Sequence, residues 1–181
     1  MLSKNYYVSP LGDIVLVGSE TALTGLWFAD QSRPPLTAVE LAQIAQGTPA
    51  PIQAAWHWLD AYFQGQRPAT DRLLLQPQVT PFRMAVLNLL QQIPYGEVRS
   101  YRDLALQLPV SVAKRARYGR AVGGAVGHNP IALIIPCHRV IGASGKLTGY
   151  AGGLVRKAAL LRLEQTGHLP QLSEMGSQVG L

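Results

Sequence analysis

The feature that most restricts the fold of this chain is the break at Gln76-Pro77-Gln78, followed at once by Thr80-Pro81. A proline cannot continue a helix interior and turns the residue before it away from helical geometry, so the tripeptide reads as a linker. Thr80 then offers an N-cap oxygen and Pro81 a pre-set first-turn φ. Together they start a helix that carries Phe82, Val86, Leu89 and Leu90. The 181 residues therefore divide near residue 79 into a unit over 1–79 and a second over 80–168, with a tail over 169–181. The chain is long enough for both units to own a core.

Before the break, residues 13–18 and 25–28 are short apolar stretches between turn residues and predict strands of a small antiparallel sheet. Residues 37–46 and 51–64 predict helices, the second with Ile52, Trp56, Leu59 and Phe63 at helical spacing. Trp56, Trp58, Tyr62 and Phe63 read as packing, and Leu73-Leu74-Leu75 as a strand. After the break, the turn Pro94-Tyr95-Gly96 leads to a capping box, Ser100 with Asp103. It opens a helix with Tyr101, Leu104, Ala105 and Leu108 on one face and Pro109 as its stop. A further helix, beginning near Ser111 to Ala113, carries Lys114, Arg115, Arg117 and Arg120, like the basic second helix of a helix-turn-helix.

That helix continues through residues 119–127 with four glycines in nine positions, each worth about 1 kcal/mol against a helix interior. Something must compensate. Missing side chains let another backbone come close, and either a nucleic acid or a neighbouring helix satisfies the spacing. Charge favours the first. Residues 1–79 hold four bases against six acids, a net of −2, and residues 80–181 hold twelve against four, a net of +8. Such a block suits a polyanion, nucleic acid or an anionic membrane surface.

With 48% hydrophobic and 14% charged residues the chain is expected to be globular. No stretch approaches the roughly 18 apolar residues of a membrane helix, and no apolar leader follows Met1, so a soluble, cytoplasmic protein is expected. The single cysteine, Cys137, can form no internal disulfide and no multi-cysteine zinc site. It lies in Ile134-Ile135-Pro136-Cys137-His138-Arg139-Val140. A thiol is a nucleophile as the thiolate, and a neighbouring cation or proton-accepting imidazole raises the thiolate fraction. Both follow Cys137 directly, although the apolar run before it could equally carry a buried, inert cysteine.

Five motifs in order complete the reading: Ile93-Pro94-Tyr95-Gly96-Glu97-Val98-Arg99-Ser100-Tyr101, Arg120-Ala121-Val122-Gly123-Gly124-Ala125, Asn129-Pro130, Pro136-Cys137-His138-Arg139-Val140 and Tyr150-Ala151-Gly152-Gly153. The chain over residues 80–166 resembles the O6-alkylguanine-DNA alkyltransferases, also called methylated-DNA–protein-cysteine methyltransferases, of bacterial type. The resemblance implies an α+β fold. A small N-terminal α/β domain, ribonuclease H-like with an antiparallel sheet and helices, precedes a mostly helical C-terminal domain that is winged-helix-like. It further implies repair by direct reversal: the nucleotide is flipped out of double-stranded DNA, and its O6-alkyl group passes irreversibly to Cys137. O4-alkylthymine is an expected second substrate.

The family's roles carry over by position. Cys137 is the nucleophile, His138 takes its proton through a water, Glu164 orients His138, and Tyr101 is a proton donor to the base. Asn129 ties the recognition segment to the cysteine loop. Arg120 fills the vacated stack, while Ala121, Gly123 and Gly124 approach the minor groove. Arg83, Ser100, Arg102, Lys114, Arg115 and Arg117 are placed on the phosphates. Val140, Tyr150 and Ala151 form the base pocket. No cofactor, metal or membrane partner is expected, and the protein is expected to act as a monomer, with cooperativity on DNA left open.

Departures are Arg83, Leu87 and Arg102, where many members carry other residues, and the segment Arg117-Tyr118-Gly119. Ala151 replaces a serine of some members and removes a hydroxyl donor. Read from the residues alone, Asn129-Pro130 is also an ordinary turn signal, Tyr101 a helix anchor and Glu164 a surface acid. Two rival classes remain: a cysteine hydrolase, which would turn over, and a lesion binder without chemistry.

Overall fold

The computed structural model describes residues 1–108 and 118–170. Lys114, Arg115, Arg117 and most of the expected tail lie outside them, as does the stop at Pro109. The N-terminal half is a four-stranded sheet in the order β3-β2-β1-β4, built from β1 (Ser3–Ser9), β2 (Gly12–Gly18), β3 (Leu23–Phe28) and β4 (Ala45–Gln46). β1, β2 and β3 pair antiparallel, whereas β4 joins β1 in parallel. Both faces of β2 are covered. Ile14 and Leu16 face the main core, while Val15 and Val17 pack with Trp27 under Leu36, Leu41 and Ile44. A strand buried on both faces reads as an unbroken apolar run, here Ile14-Val15-Leu16-Val17.

Three expectations need correction in this half. The helix expected over 37–46 is only α1 (Ala38–Ala42), closed at its start by the reciprocal Thr37–Glu40 capping box. Its end is turned into the sheet, because Lys4 Nζ takes the Leu41 carbonyl at 2.7 Å and β4 then pairs with Ser3 and Lys4. Leu73-Leu74-Leu75 forms no strand. Leu75 makes one isolated bridge to Leu23. β1, which no motif announced, alternates over its second half, with Tyr6 and Val8 exposed on one face and Tyr7 and Ser9 turned inward. In α2 (Ala50–Phe63) the buried stripe is Ile52, Ala55, Trp58, Leu59 and Tyr62, which leaves Trp56 and Phe63 at the margin.

The C-terminal half is helical: α3 (Pro81–Gln91), α4 (Tyr101–Gln107), α5 (Tyr118–Gly127, its described part) and α6 (Leu154–Thr166). Thr80 caps α3 as its sequence requires, and Ser100 with Asp103 forms the expected capping box of α4. A short parallel pair, β5 (Arg99–Ser100) with β6 (Val140–Ile141), ties the start of α4 to the residues just after Cys137. One core runs through both halves. Leu26 of β3 donates to the Pro130 carbonyl at 2.8 Å and accepts from Ala132 N at 2.7 Å, so the chain before Cys137 is stitched to the free edge of the sheet. Arg156, in the first turn of α6, bonds the Leu11 carbonyl and Asp30 and lies over the Phe28 ring. Among the described residues, no helix is long and apolar enough to cross a membrane.

Candidate active site

Residues 129–139 form the centre of the site, and their path is set by one buried amide. Asn129 Nδ2 donates to the Ile135 carbonyl at 2.7 Å, and Asn129 Oδ1 accepts from Ile131 N at 3.1 Å. The loop that these bonds close contains Leu133 at φ 68°, a left-handed conformation that β-carbons resist. Cys137, His138 and Arg139 follow as a single 3₁₀ turn, all three buried. The turn signal at Asn129-Pro130 is thus part of the site's scaffold.

Cys137 is a thiol at rest. Burial pushes its pKa up, against the Asn129 side chain, the charge of Lys157 and the N–H groups of Cys137 and His138. Of the two neighbours expected to raise the thiolate fraction, the imidazole keeps a basic nitrogen that can accept the proton, and only the cation is withdrawn. Arg139 is committed elsewhere, and burial also pushes the pKa of His138 down, so that neither neighbour is a free cation. The cation that acts on the sulfur is Lys157, which sequence reading passed over. Its fully buried amine donates to the carbonyls of Val140, Thr148 and Gly149. Burial lowers its pKa to about 8. The available signal was spacing: Lys157 and Glu164 are seven residues apart on α6 and share a face.

His138 Nε2 lies 2.6 Å from Glu164 Oε1. A carboxylate only accepts, so Nε2 carries the proton and Nδ1 is the basic nitrogen. Nδ1 is buried and has no protein partner. Glu164 is held by five hydrogen bonds: from His138 and Tyr62 on Oε1, from Gly96 N on Oε2, and from Arg139, which bridges both oxygens. Burial acts to raise the pKa of Glu164, yet the bonds from His138 and Arg139 outweigh it and hold the group well below the usual carboxylate range. Arg139 also reaches the Ile93 carbonyl at 2.6 Å. The turn Pro94-Tyr95-Gly96 earns its glycine here. Gly96 sits at φ +79°, and a β-carbon on it would come within 3.2 Å of the Glu164 carbonyl. Tyr62, read as packing, packs and also bonds the acid.

Above this buried set lies a surface of opposite character. On α5, Val122, Ala125 and Val126 face the core, whereas a β-carbon on Gly119, Gly123 or Gly124 would meet nothing within 4 Å. Among the described residues no helix therefore packs on these three glycines, and helix-on-helix packing, one of the two explanations their spacing allowed, finds no support there. Arg120 and Ala121 are exposed beside them. Arg120, Gly123, Arg102 and Tyr101 line an apolar hollow of about 860 Å³. A second hollow of about 230 Å³, lined by Tyr101, Gly123, Tyr150, Ala151, Ser32 and Arg33, adjoins it. Against Cys137 itself only about 10 Å³ is open, between Asn129, Tyr150 and Gln31.

Both halves of the chain have counterparts among known proteins. Residues 2–77 match the 6-O-methylguanine DNA methyltransferase ribonuclease-like domain, and residues 81–166 match the DNA-binding domain of the same enzyme. The chain belongs to the 6-O-methylguanine DNA methyltransferase family. Methylated-DNA–protein-cysteine methyltransferase of Mycobacterium tuberculosis (strain H37Rv) is 45% identical over 160 residues, covering 87% of this chain and 89% of that one. The Haemophilus influenzae protein of the same name is 34% identical over 173 residues, covering 96% and 92%. Among solved structures, M. tuberculosis OGT in complex with DNA superposes with a TM-score of 0.80 at 40% identity, covering 94% of this chain and 98% of that one.

Membership in this methyltransferase family gives the remaining residues their meaning. Tyr101 Oη is 3.3 Å from both the Thr148 and Gly149 carbonyls, two of the three that Lys157 holds, and burial raises its pKa. The hydroxyl stays protonated. The Tyr150 hydroxyl is buried without a protein partner. Backbone groups of Val140 and Ala151, two of the three expected base-pocket residues, are already engaged. Val140 N–H bonds the Cys137 carbonyl and its own carbonyl holds Lys157, while the Ala151 carbonyl accepts from Ser32 N and Oγ. Ser100 is bound into its capping box. Arg83, in the first turn of α3, lines neither of the two hollows.

Proposed function

We propose that this protein repairs alkylated DNA by direct reversal, moving a methyl or other alkyl group from O6 of guanine, and from O4 of thymine, to Cys137. The observation that carries the reading is the buried pair of Glu164 with His138, the residue after Cys137, whose narrow opening shares Gly127, Gly149, Tyr150 and Ala151 with the hollow that Gly123 of α5 borders. The α5 surface enters the minor groove, Arg120 takes the place of the extruded nucleotide, and Ala121, Gly123 and Gly124 let the backbone approach. Arg83, Ser100, Arg102, Lys114, Arg115 and Arg117 bind phosphates. The base lies between Tyr150 and Tyr101, and the Ser32–Ala151 contact opens to admit it.

The chemistry follows from the protonation states. Cys137 Sγ passes its proton through a water to His138 Nδ1, and Glu164 stabilises the imidazolium. The thiolate attacks the alkyl carbon. A carbon–sulfur bond forms as the carbon–oxygen bond breaks, its electrons stay on the purine, and Tyr101 gives the base a proton. The proton taken by His138 balances the one given by Tyr101. A thioether contains no leaving group that would restore the thiol, so each molecule acts once; in this reading it acts as a monomer, and direct transfer to sulfur calls for no cofactor.

Intact mass spectrometry after mixing with a duplex containing O6-methylguanine tests this directly. One methyl group per chain, mapped to Cys137, is expected, and Cys137→Ser should bind the duplex but remain unlabelled. Repeated turnover would favour the cysteine hydrolase. An unlabelled wild-type protein that binds the lesion would favour the lesion binder.

A further inference from the structure

The N-terminal half reaches the reacting groups through one side chain. Tyr62 of α2 is wholly buried, stacked on Trp58 at 5.0 Å between ring centroids and set edge-on to Tyr95 and His138. Its hydroxyl lies 2.8 Å from Glu164 Oε1 and 3.3 Å from His138 Nε2. We propose that Tyr62 is a positioning residue of the proton relay: by sharing Glu164 Oε1 with His138, it keeps His138 an empty base until the thiol delivers its proton.

The argument is one of competition for a single oxygen. Oε1 accepts from His138 Nε2 at 2.6 Å, from Tyr62 Oη at 2.8 Å and from Arg139 Nη2 at 3.0 Å. Hydrogen bonds to an ionised acceptor are strong, and each donor that draws on the carboxylate charge weakens the pull of that charge on the others. A carboxylate left to His138 alone would favour the imidazolium before any substrate arrived. An imidazole already protonated cannot take the proton of Cys137. Tyr62 suits the restraining part because its hydroxyl, buried beside Glu164, is driven far from ionisation and donates at every working pH. The other charged or titrating groups around His138 are Glu164 and Lys157 from α6, Arg139 beside it and the Cys137 thiol. None of these is a neutral donor to Oε1.

This inference rests on transfer to Cys137 through His138, and its test separates the two. Tyr62→Phe keeps the ring, its stacking and its volume and removes only the hydroxyl. In the full-length protein, the titration of His138 is followed by its ring nitrogen resonances, with no alkyl donor present. It should move to higher pH by about half a unit to one unit, a part of the roughly one to two units that a whole hydrogen bond to a charged partner is worth, because protonation of His138 weakens the Tyr62–Glu164 bond without abolishing it. With free O6-benzylguanine, the acidic limb of the pH–rate profile should move up by the same amount, with DNA affinity unchanged. A His138 titration and a rate profile identical to wild type would overturn the proposal. Wild-type protein that never labels Cys137 would overturn the functional reading, and the resonance titration would still decide the role of Tyr62. If Tyr62→Phe fails to fold, 3-fluorotyrosine at position 62 is a stronger donor of nearly the same shape. It should move the His138 titration to lower pH, and an unmoved titration would overturn the proposal.

Discussion

The two surfaces that meet around Tyr101 are built on opposite principles. Below it, every polar atom of Glu164 and Arg139 is bound, the charges are buried, and the space against the thiol is about 10 Å³. Above it, the α5 face is stripped to glycine and left open beside a hollow of about 860 Å³. Saturation serves chemistry, because a carboxylate that five donors hold cannot reorient or take the proton itself. Bareness suits the proposed recognition of DNA, because a face without side chains leaves room for another backbone. A change on the lower side should therefore alter reaction with any alkyl donor, and a change on the upper side should alter duplex repair alone.

The largest test is Glu164→Gln. The amide keeps the volume but loses the charge, so the His138 imidazolium loses its counterion and alkyl transfer should slow by about 10²- to 10⁴-fold, with duplex and free base affected alike. Arg139 is left as a buried charge without its partner, which costs about 3–5 kcal/mol. The pH dependence of stability should change as well. The carboxyl of Glu164 is held below its usual range, so its stabilisation is complete above the unfolded carboxylate pKa and is lost as pH falls through the folded one. Urea unfolding as a function of pH should show this acid-side loss in wild type and less of it in the variant. Unchanged transfer rates would remove Glu164 from the relay.

Arg120→Ala sharpens the same comparison from the other side. Arg120 is exposed and touches none of the buried set, so reaction with free O6-benzylguanine should stay within about twofold of wild type. Repair of an O6-methylguanine duplex, which needs a base held out of the stack at a cost of a few kcal/mol, should fall by about tenfold or more. Equal losses on both substrates would show that Arg120 supports the pocket and would withdraw its place in the DNA.

How much of this was legible in the sequence follows from the range of each interaction. The Thr80-Pro81 start and the Ser100–Asp103 box are local chemistry, complete within four residues, and both stand as read. The ordered motifs named Cys137, His138 and Asn129, which the fold gathers in one buried loop, whereas Glu164 lies outside those motifs and came only from position in the family. Tyr62 and Lys157 were not. Tyr62 belongs to an aromatic cluster whose apolar spacing explains it fully until Glu164 arrives from the far end of the chain. Lys157 looked like one base among several on α6, and only tertiary burial turns its amine inward onto the Val140, Thr148 and Gly149 carbonyls, where its charge acts on the thiol. β4 was missed for a related reason, since pairing with Ser3 and Lys4 outweighed the helical pattern of residues 37–46.

The smallest test uses the same substitution, glycine to alanine, on both surfaces and expects opposite signs. Gly96 has a left-handed φ of +79° and its missing β-carbon would sit 3.2 Å from the Glu164 carbonyl. Gly96→Ala should therefore destabilise the fold by roughly 1–2 kcal/mol, the cost of a left-handed residue with a side chain, and should slow reaction with the free base as Glu164 shifts. Gly123 is helical and its missing β-carbon would meet nothing within 4 Å. Gly123→Ala should raise stability by about 1 kcal/mol, because alanine is the better helix former and narrows the unfolded ensemble. Reaction with free base should hold, while duplex affinity falls as the added methyl group stands between α5 and the DNA. Thermal unfolding and duplex binding on the two purified variants decide the matter. If Gly123→Ala gains stability and keeps full duplex affinity, the glycine face does not lie against DNA at that position, and the contrast between a saturated lower surface and a bare recognition surface loses its functional meaning.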